Sequence, residues 1–131
     1  MLSPAAKASR GFVALNALLF IGLGLRALSE PAAHMAPFDL LAPSAAMLGE
    51  IRANYGGMHL GIGLLFALGA VRAEWQRTGL AVLLAFLGGL AVGRTLSVFV
   101  DGTPPVFAIA FIAIEWVGAV LAMALLLRRP A

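Results

Sequence analysis

Three residues able to move a proton and two able to grip an anion lie inside or beside long apolar runs of this chain. His59, Tyr55 and Glu115 are the acid–base candidates, because burial and close charges can bring such groups toward neutrality. Arg26 and Arg94 can hold an anionic or carbonyl-bearing group through their guanidinium donors. Around them stand Glu50, Arg52, Asn54, Ser97 and Asp101. The stretch EIRANYGGMHLGIGLLF, Glu50 to Phe66, crowds five of these polar residues at the entrance to an apolar run.

Metal chemistry is not expected. Only His34 is available to join His59, and no HxxxH, HExxH or ExxH spacing exists. A hydrogen-bonded structural histidine is therefore the plainer reading of His59. The chain has no cysteine, which removes disulfides, thiolate chemistry and cysteine-ligated metal. Nucleotide loops and nucleophile elbows are also absent, and no cofactor is expected.

The elements that position these residues follow from composition. Of 131 residues, 62% are hydrophobic and 11% charged, with a mean hydropathy of +1.00. Soluble domains use roughly 45–50% apolar residues. The chain therefore reads as all-α and integral to a membrane, an antiparallel four-helix bundle with short loops forming a single domain over residues 1–131. Its runs are continuous and rich in Leu, Ala and Gly, where membrane strands would alternate. The expected spans are 11–28, 46–72, 79–100 and 105–127, each long enough for the ~20 residues a crossing needs. SEPAAHMAPFDLLAP, between the first two, carries three prolines and predicts an irregular connection with a short interfacial turn near 38–41. Such a segment can also lie as a lid over a pocket. Pro43-Ser44 offers the next helix start. RAEWQRTG and DGTPP are the remaining loops.

Lys7, Arg10, Arg72, Arg77, Arg128 and Arg129 flank the spans on one side, and Arg26, Arg52 and Arg94 lie toward the other. The positive-inside rule then predicts a multi-pass protein with both termini cytoplasmic and Trp75 as an inner interfacial anchor. A competing reading, a signal peptide over residues 1–29 cleaved near Ala27-Leu28-Ser29, is disfavoured by Arg26 just before that site. The net charge of +3 comes without a basic patch interleaved with aromatics, so nucleic acid is not an expected partner.

At ~1.5 Å per residue, Arg26 and Arg94 sit ~22 Å up their spans and His59 and Glu115 ~18 Å up. One ionisable group per helix thus falls in a common layer. Arg94, Ser97 and Asp101 share a face of the third span, and Arg52, Tyr55 and His59 share a face of the second. Glu50 and Asn54 point elsewhere, in line with Gly57 and Gly61. Charges within a span cost at least ~2.5–3.5 kcal/mol each and should pair or line a wet cavity. Arg26, Arg52 and Arg94 balance Glu50, Asp101 and Glu115. The expectation is an outward-opening polar pocket between spans 2, 3 and 4, floored by His59 and Glu115. The plainer alternative, an internal ion-pair network that fixes helix register, weighs about evenly against it. Gly57/Gly61 and Gly89/Gly93 are small-xxx-small pairs suited to close packing, and Asn16 predicts an interhelical hydrogen bond.

The pattern Glu50-x-Arg52-Ala53-x-Tyr55-Gly56-Gly57, then Gly61-x-Gly63, then Gly93-Arg94-x-x-Ser97-x-x-x-Asp101-Gly102-x-Pro104 and Glu115 resembles a family of small bacterial inner-membrane proteins known as a domain of unknown function. Gly24-Leu25-Arg26-Ala27 and Pro31 also fit. The likeness spans roughly residues 11–127. It implies a compact four-helix membrane bundle, loosely similar to DoxX-like proteins, in a bacterial inner membrane, and implies no reaction.

Three functions remain open at this point. The preferred one binds a small molecule or lipid in the polar pocket, with or without catalysis by His59, Tyr55 and Glu115. A proton-coupled transporter would need a dimer, since four helices rarely enclose a route alone. An accessory subunit of a larger membrane complex would use the ion pairs structurally. Membrane lipids, a small hydrophobic or anionic ligand and a second copy of the chain are the expected partners.

Overall fold

The computed structural model describes residues 4–128, so Arg129 lies outside the described residues. Helix α1, Pro4–Ser29, is the first span. It stops where Pro31 forces Glu30 out of helical geometry (φ −130°, ψ 62°). A short α2, Pro31–Met35, and a 3₁₀ turn, Ala36–Phe38, follow, each opened by a proline near its start. The turn ends on Asp39, whose φ of 62° is left-handed, a conformation Asp tolerates better than most side chains. The compact turn thus falls just before the expected 38–41, because Pro37 sits at the start of it.

Ser44 caps α3, Ala45–Ile51, by accepting the Met47 N–H at 3.3 Å, as the Pro43-Ser44 pair predicts. The second span then widens into a π turn, Arg52–Gly57, before continuing as α4, Met58–Val71. Only Arg72 separates α4 from α5, Ala73–Asp101. The expected loop over 72–79 is therefore helical, and the third span begins two turns early. Gln76 donates to the Ala6 carbonyl at 3.1 Å, and Gly79 packs on Val13, which hold those turns against α1. Gly102 at φ 101°, followed by Pro104 and Pro105, turns the chain sharply into α6, Val106–Leu127.

All four spans are long and apolar enough to cross a membrane, and the short connections make neighbours antiparallel. The fold is the all-α four-helix membrane bundle expected from composition. Among the described residues there are no strands. α1 packs along the second span, α5 joins the second span to α6, and α1 also touches α5. Val13, Phe20, Phe66, Leu80, Leu83, Leu87, Ala119 and Ala122 form the core. Phe20 meets Phe66 and Phe86 edge to face at its centre. Residues 30–44 and the Gly102 turn lie at one end of the bundle, called distal below. Arg72 and the first turn of α1 lie at the other.

Close helix approach falls at glycines other than the small-xxx-small pairs. A Cβ at Gly24 would sit 2.8 Å from the Leu60 backbone nitrogen, and one at Gly63 2.9 Å from that of Ile21. Gly61, Gly89 and Gly93 face open space, and Gly57 only grazes its own turn. Asn16 also departs from expectation, since its buried amide donates to the Phe12 carbonyl of its own helix at 2.9 Å.

Candidate functional site

The polar residues expected around one pocket fall into two groups. The first lies between α1 and the second span and is organised by the π turn. There Met58 N–H reaches back five residues to Ala53, and the Asn54 carbonyl meets His59 Nδ1 at 3.0 Å. A carbonyl only accepts, so Nδ1 carries the hydrogen. The ring stacks on Phe20 at 5.2 Å and on Tyr55 at 6.0 Å, with Phe86 edge-on at 5.5 Å. His34 of α2 extends this column by packing on Tyr55 at 5.8 Å. Burial first, then the Arg26 charge and that of His59, hold the His34 imidazole below its ordinary pKa.

Of the three arginines set against the three carboxylates, only Arg94 forms an ion pair with one of them, Glu115. Arg52 donates from Nε to the Leu28 carbonyl at 3.2 Å and so caps the end of α1. Glu50 accepts from Asn54 at 2.9 Å, and Asp101 from Ser97 at 2.6 Å. Arg26 is exposed in the last turn of α1. This outcome limits the ion-pair-network reading to Arg94 and Glu115.

Those two form the centre of the second group. Arg94 Nε donates to Glu115 Oε1 at 2.9 Å, joining α5 to α6. Glu115 is 6% exposed, and its Oε2 is buried without a hydrogen-bond partner. The guanidinium lies over the Phe111 ring, 5.7 Å from its centroid. One residue further along each helix, Trp116 Nε1 donates to Thr95 Oγ1 at 3.1 Å, and Thr95 donates to the Ala91 carbonyl at 2.6 Å. This second link was not anticipated, and Thr95 and Trp116 reveal it only when α5 and α6 are set in register.

Beside Arg94 a cavity of about 240 Å³ opens at the distal end. Its walls come from α5 (Arg94, Ser97, Val98), from α6 and the turn before it (Pro104, Pro105, Phe107, Ala108, Ile112), and from the outer connection (Pro37, Phe38, Asp39). Phe38 closes one side by packing edge to face on Phe107 at 5.5 Å. Of the anticipated site residues, Arg94 and Ser97 line this space. Arg26, Glu50, Arg52, Asn54, Tyr55, His59, Asp101 and Glu115 do not. The cavity therefore lies between spans 3 and 4 under the outer connection, where the sequence predicted one between spans 2, 3 and 4 with His59 in its floor. His59 is drawn away by its aromatic packing on α1 and by the Asn54 carbonyl. Asp39 and Phe38 are among the nine lining residues that the sequence reading did not assign to the site; the Pro37-Phe38-Asp39 turn was the available signal for them.

Among the described residues, no cluster of three or more His, Asp or Glu has metal-site geometry. Arg94 spends only Nε on Glu115, so its two terminal amino groups, with four N–H donors, have no partner among the described residues. A third of the side chain is open. The arrangement can grip an oxyanion or carbonyl while the carboxylate holds the guanidinium in place.

Fold and site together define a polytopic α-helical membrane protein with an interhelical ion pair, Arg94–Glu115, beside a small distal cavity. The chain belongs to the family described as a domain of unknown function (DUF4345), which matches residues 8–126. No curated protein and no solved structure matches it.

Proposed function

We propose that this chain is a small-ligand receptor of the bacterial inner membrane, with both termini cytoplasmic and the distal cavity facing outward. The ligand is an amphipathic molecule or lipid whose compact oxyanion or carbonyl head meets Arg94. Its apolar part lies against Phe38, Phe107 and Ile112. The observation that carries this reading is the guanidinium of Arg94, anchored through Nε and left with its terminal donors beside an open cavity. The positive-inside asymmetry supports the orientation.

Native mass spectrometry of protein released gently from its own membrane tests the reading. A bound small molecule or lipid is expected on the wild type. It should fall at least about tenfold in the double variant Arg94→Gln/Glu115→Gln, which removes both charges together and so leaves no unpaired buried ion. Retention of the same species by the folded double variant would overturn the assignment.

A second reading, proton-coupled exchange, draws on the unpartnered Oε2 of Glu115. It requires a pH-driven flux in liposomes that Glu115→Gln abolishes, and a second copy to complete the route.

A further inference from the structure

The Arg94 cavity has an acidic wall as well as a basic one. Asp39, an exposed residue, lines it from the outer connection, and Arg94 lines it from α5. The two charges do not bridge: among the described residues the ion pairs are Arg94–Glu115 and the exposed Arg72–Glu74. The Asp39 carboxylate has no hydrogen-bond partner there either, although the 3₁₀ turn fixes its backbone and Phe38 pins that turn to Phe107. Two opposite charges thus share one small space without satisfying each other.

Charge balance narrows the ligand. Arg94, Glu115 and Asp39 sum to −1, and Asp101, held by Ser97, adds another negative charge next to the wall. A plain anion would reach the Arg94 donors against net repulsion. A ligand carrying its own cation would not. The Phe38 and Phe107 rings supply apolar faces that suit an ammonium, and about 240 Å³ is headgroup-sized, below the roughly 300–1,000 Å³ of clefts for larger ligands. The cavity also lies along the last two turns of α5 and the first two of α6, near the ends of both spans, where headgroups border the hydrocarbon of a bilayer.

From this geometry we infer that the cavity is a zwitterion site, taking a phosphate ester with its oxyanion on Arg94 and its ammonium on Asp39. The inference rests on the reading of Arg94 as the anion grip and adds the second pole. A phosphoethanolamine-type group fits both poles, whether free in solution or as the head of a lipid.

Calorimetric titration of the detergent-solubilised protein with O-phosphoethanolamine, ethyl phosphate and ethanolamine tests it. O-phosphoethanolamine should bind about tenfold or more tightly than either single-charge probe. Asp39→Asn should erase its advantage over ethyl phosphate and leave ethyl phosphate bound at least as well. Arg94→Gln/Glu115→Gln should abolish binding of both phosphates. Equal affinity of wild type for O-phosphoethanolamine and ethyl phosphate, or a preference that survives Asp39→Asn, overturns the zwitterion inference and leaves the anion grip standing. Phosphate binding unchanged in the folded double variant, or no binding of any probe in detergent or nanodiscs, overturns both. Nanodiscs distinguish the source. Retention of phosphatidylethanolamine over phosphatidylglycerol, lost in Asp39→Asn, assigns the lipid head, and equal retention with O-phosphoethanolamine binding assigns the free compound.

Discussion

Gly24, Gly56 and Gly63 bring α1 against the second span at backbone distance, whereas α5 and α6 are joined through Arg94–Glu115 and Thr95–Trp116 and leave a cavity beside them. Both halves carry polar groups at similar depth. In the first, three are satisfied locally: His59 by a backbone carbonyl, Arg52 by the end of α1, Asn54 by Glu50. In the second, the ion pair is incomplete on both sides, with Oε2 of Glu115 and the terminal nitrogens of Arg94 unmatched. Polarity inside the membrane is common to both halves. Unspent donors next to open volume are what single out the second.

The largest expected effect probes the close-packed half. Gly24→Val and Gly63→Val would drive side chains into backbone of the facing helix, and each should lower stability by about 2–3 kcal/mol or more. The open glycines provide the control. Gly61→Ala and Gly93→Ala should stay within about 0.5 kcal/mol. Thermal unfolding in detergent measures both sets, and similar losses at Gly24 and Gly61 would show that the first interface is not set by backbone contact.

A smaller effect separates the halves functionally. His59→Phe keeps a ring against Phe20 but loses the bond to Asn54, at a cost of about 1 kcal/mol. Ligand affinity in the Arg94 cavity should be unchanged. A large loss of affinity would mean that the two polar groups act as one site after all.

The smallest effect is pH-dependent and concerns the outer connection, which touches both halves. The His34 pKa is lower folded than unfolded, so the docked state disfavours the proton. Docking of His34 on Tyr55 is then unaffected at pH well above the ordinary imidazole value of about 6.5 and weakens as the pH falls through and below it. Burial opposes protonation most, followed by the charges of Arg26 and His59. Amide exchange over residues 31–38 should quicken on acidification, and His34→Phe should remove that dependence while preserving the ring contact. Slower exchange at low pH would reverse the sign and rule out this account.

Much of the fold was legible because membrane solvent imposes it. Continuous apolar runs of sufficient length must be helices when no water can satisfy the backbone, and Pro31, Ser44 and Gly102 mark ends through their own stereochemistry. The boundary at Ala73 was hidden because AEWQRTG is polar enough for a loop, and its helical form depends on contacts from Ala6 and Val13. The π turn was hidden for a similar reason. EIRANYGG reads as helix, and only the pairing of His59 with the Asn54 carbonyl and the packing of Gly56 on Leu28 reveal the wider turn.

The sequence by itself determined the solvent, the four spans, the family and the identity of the charged residues that have to be accommodated. Tertiary structure alone decided how those residues divide. A side chain's depth follows from its position along a helix, so Arg94 and Glu115 could be placed at one level from spacing. Its partner depends on helix rotation and on which neighbour comes close, and glycine-driven contact turned His59 toward Phe20 on α1. Tertiary packing likewise brought Arg94 and Asp39, 55 positions apart in the chain, to line the same small cavity.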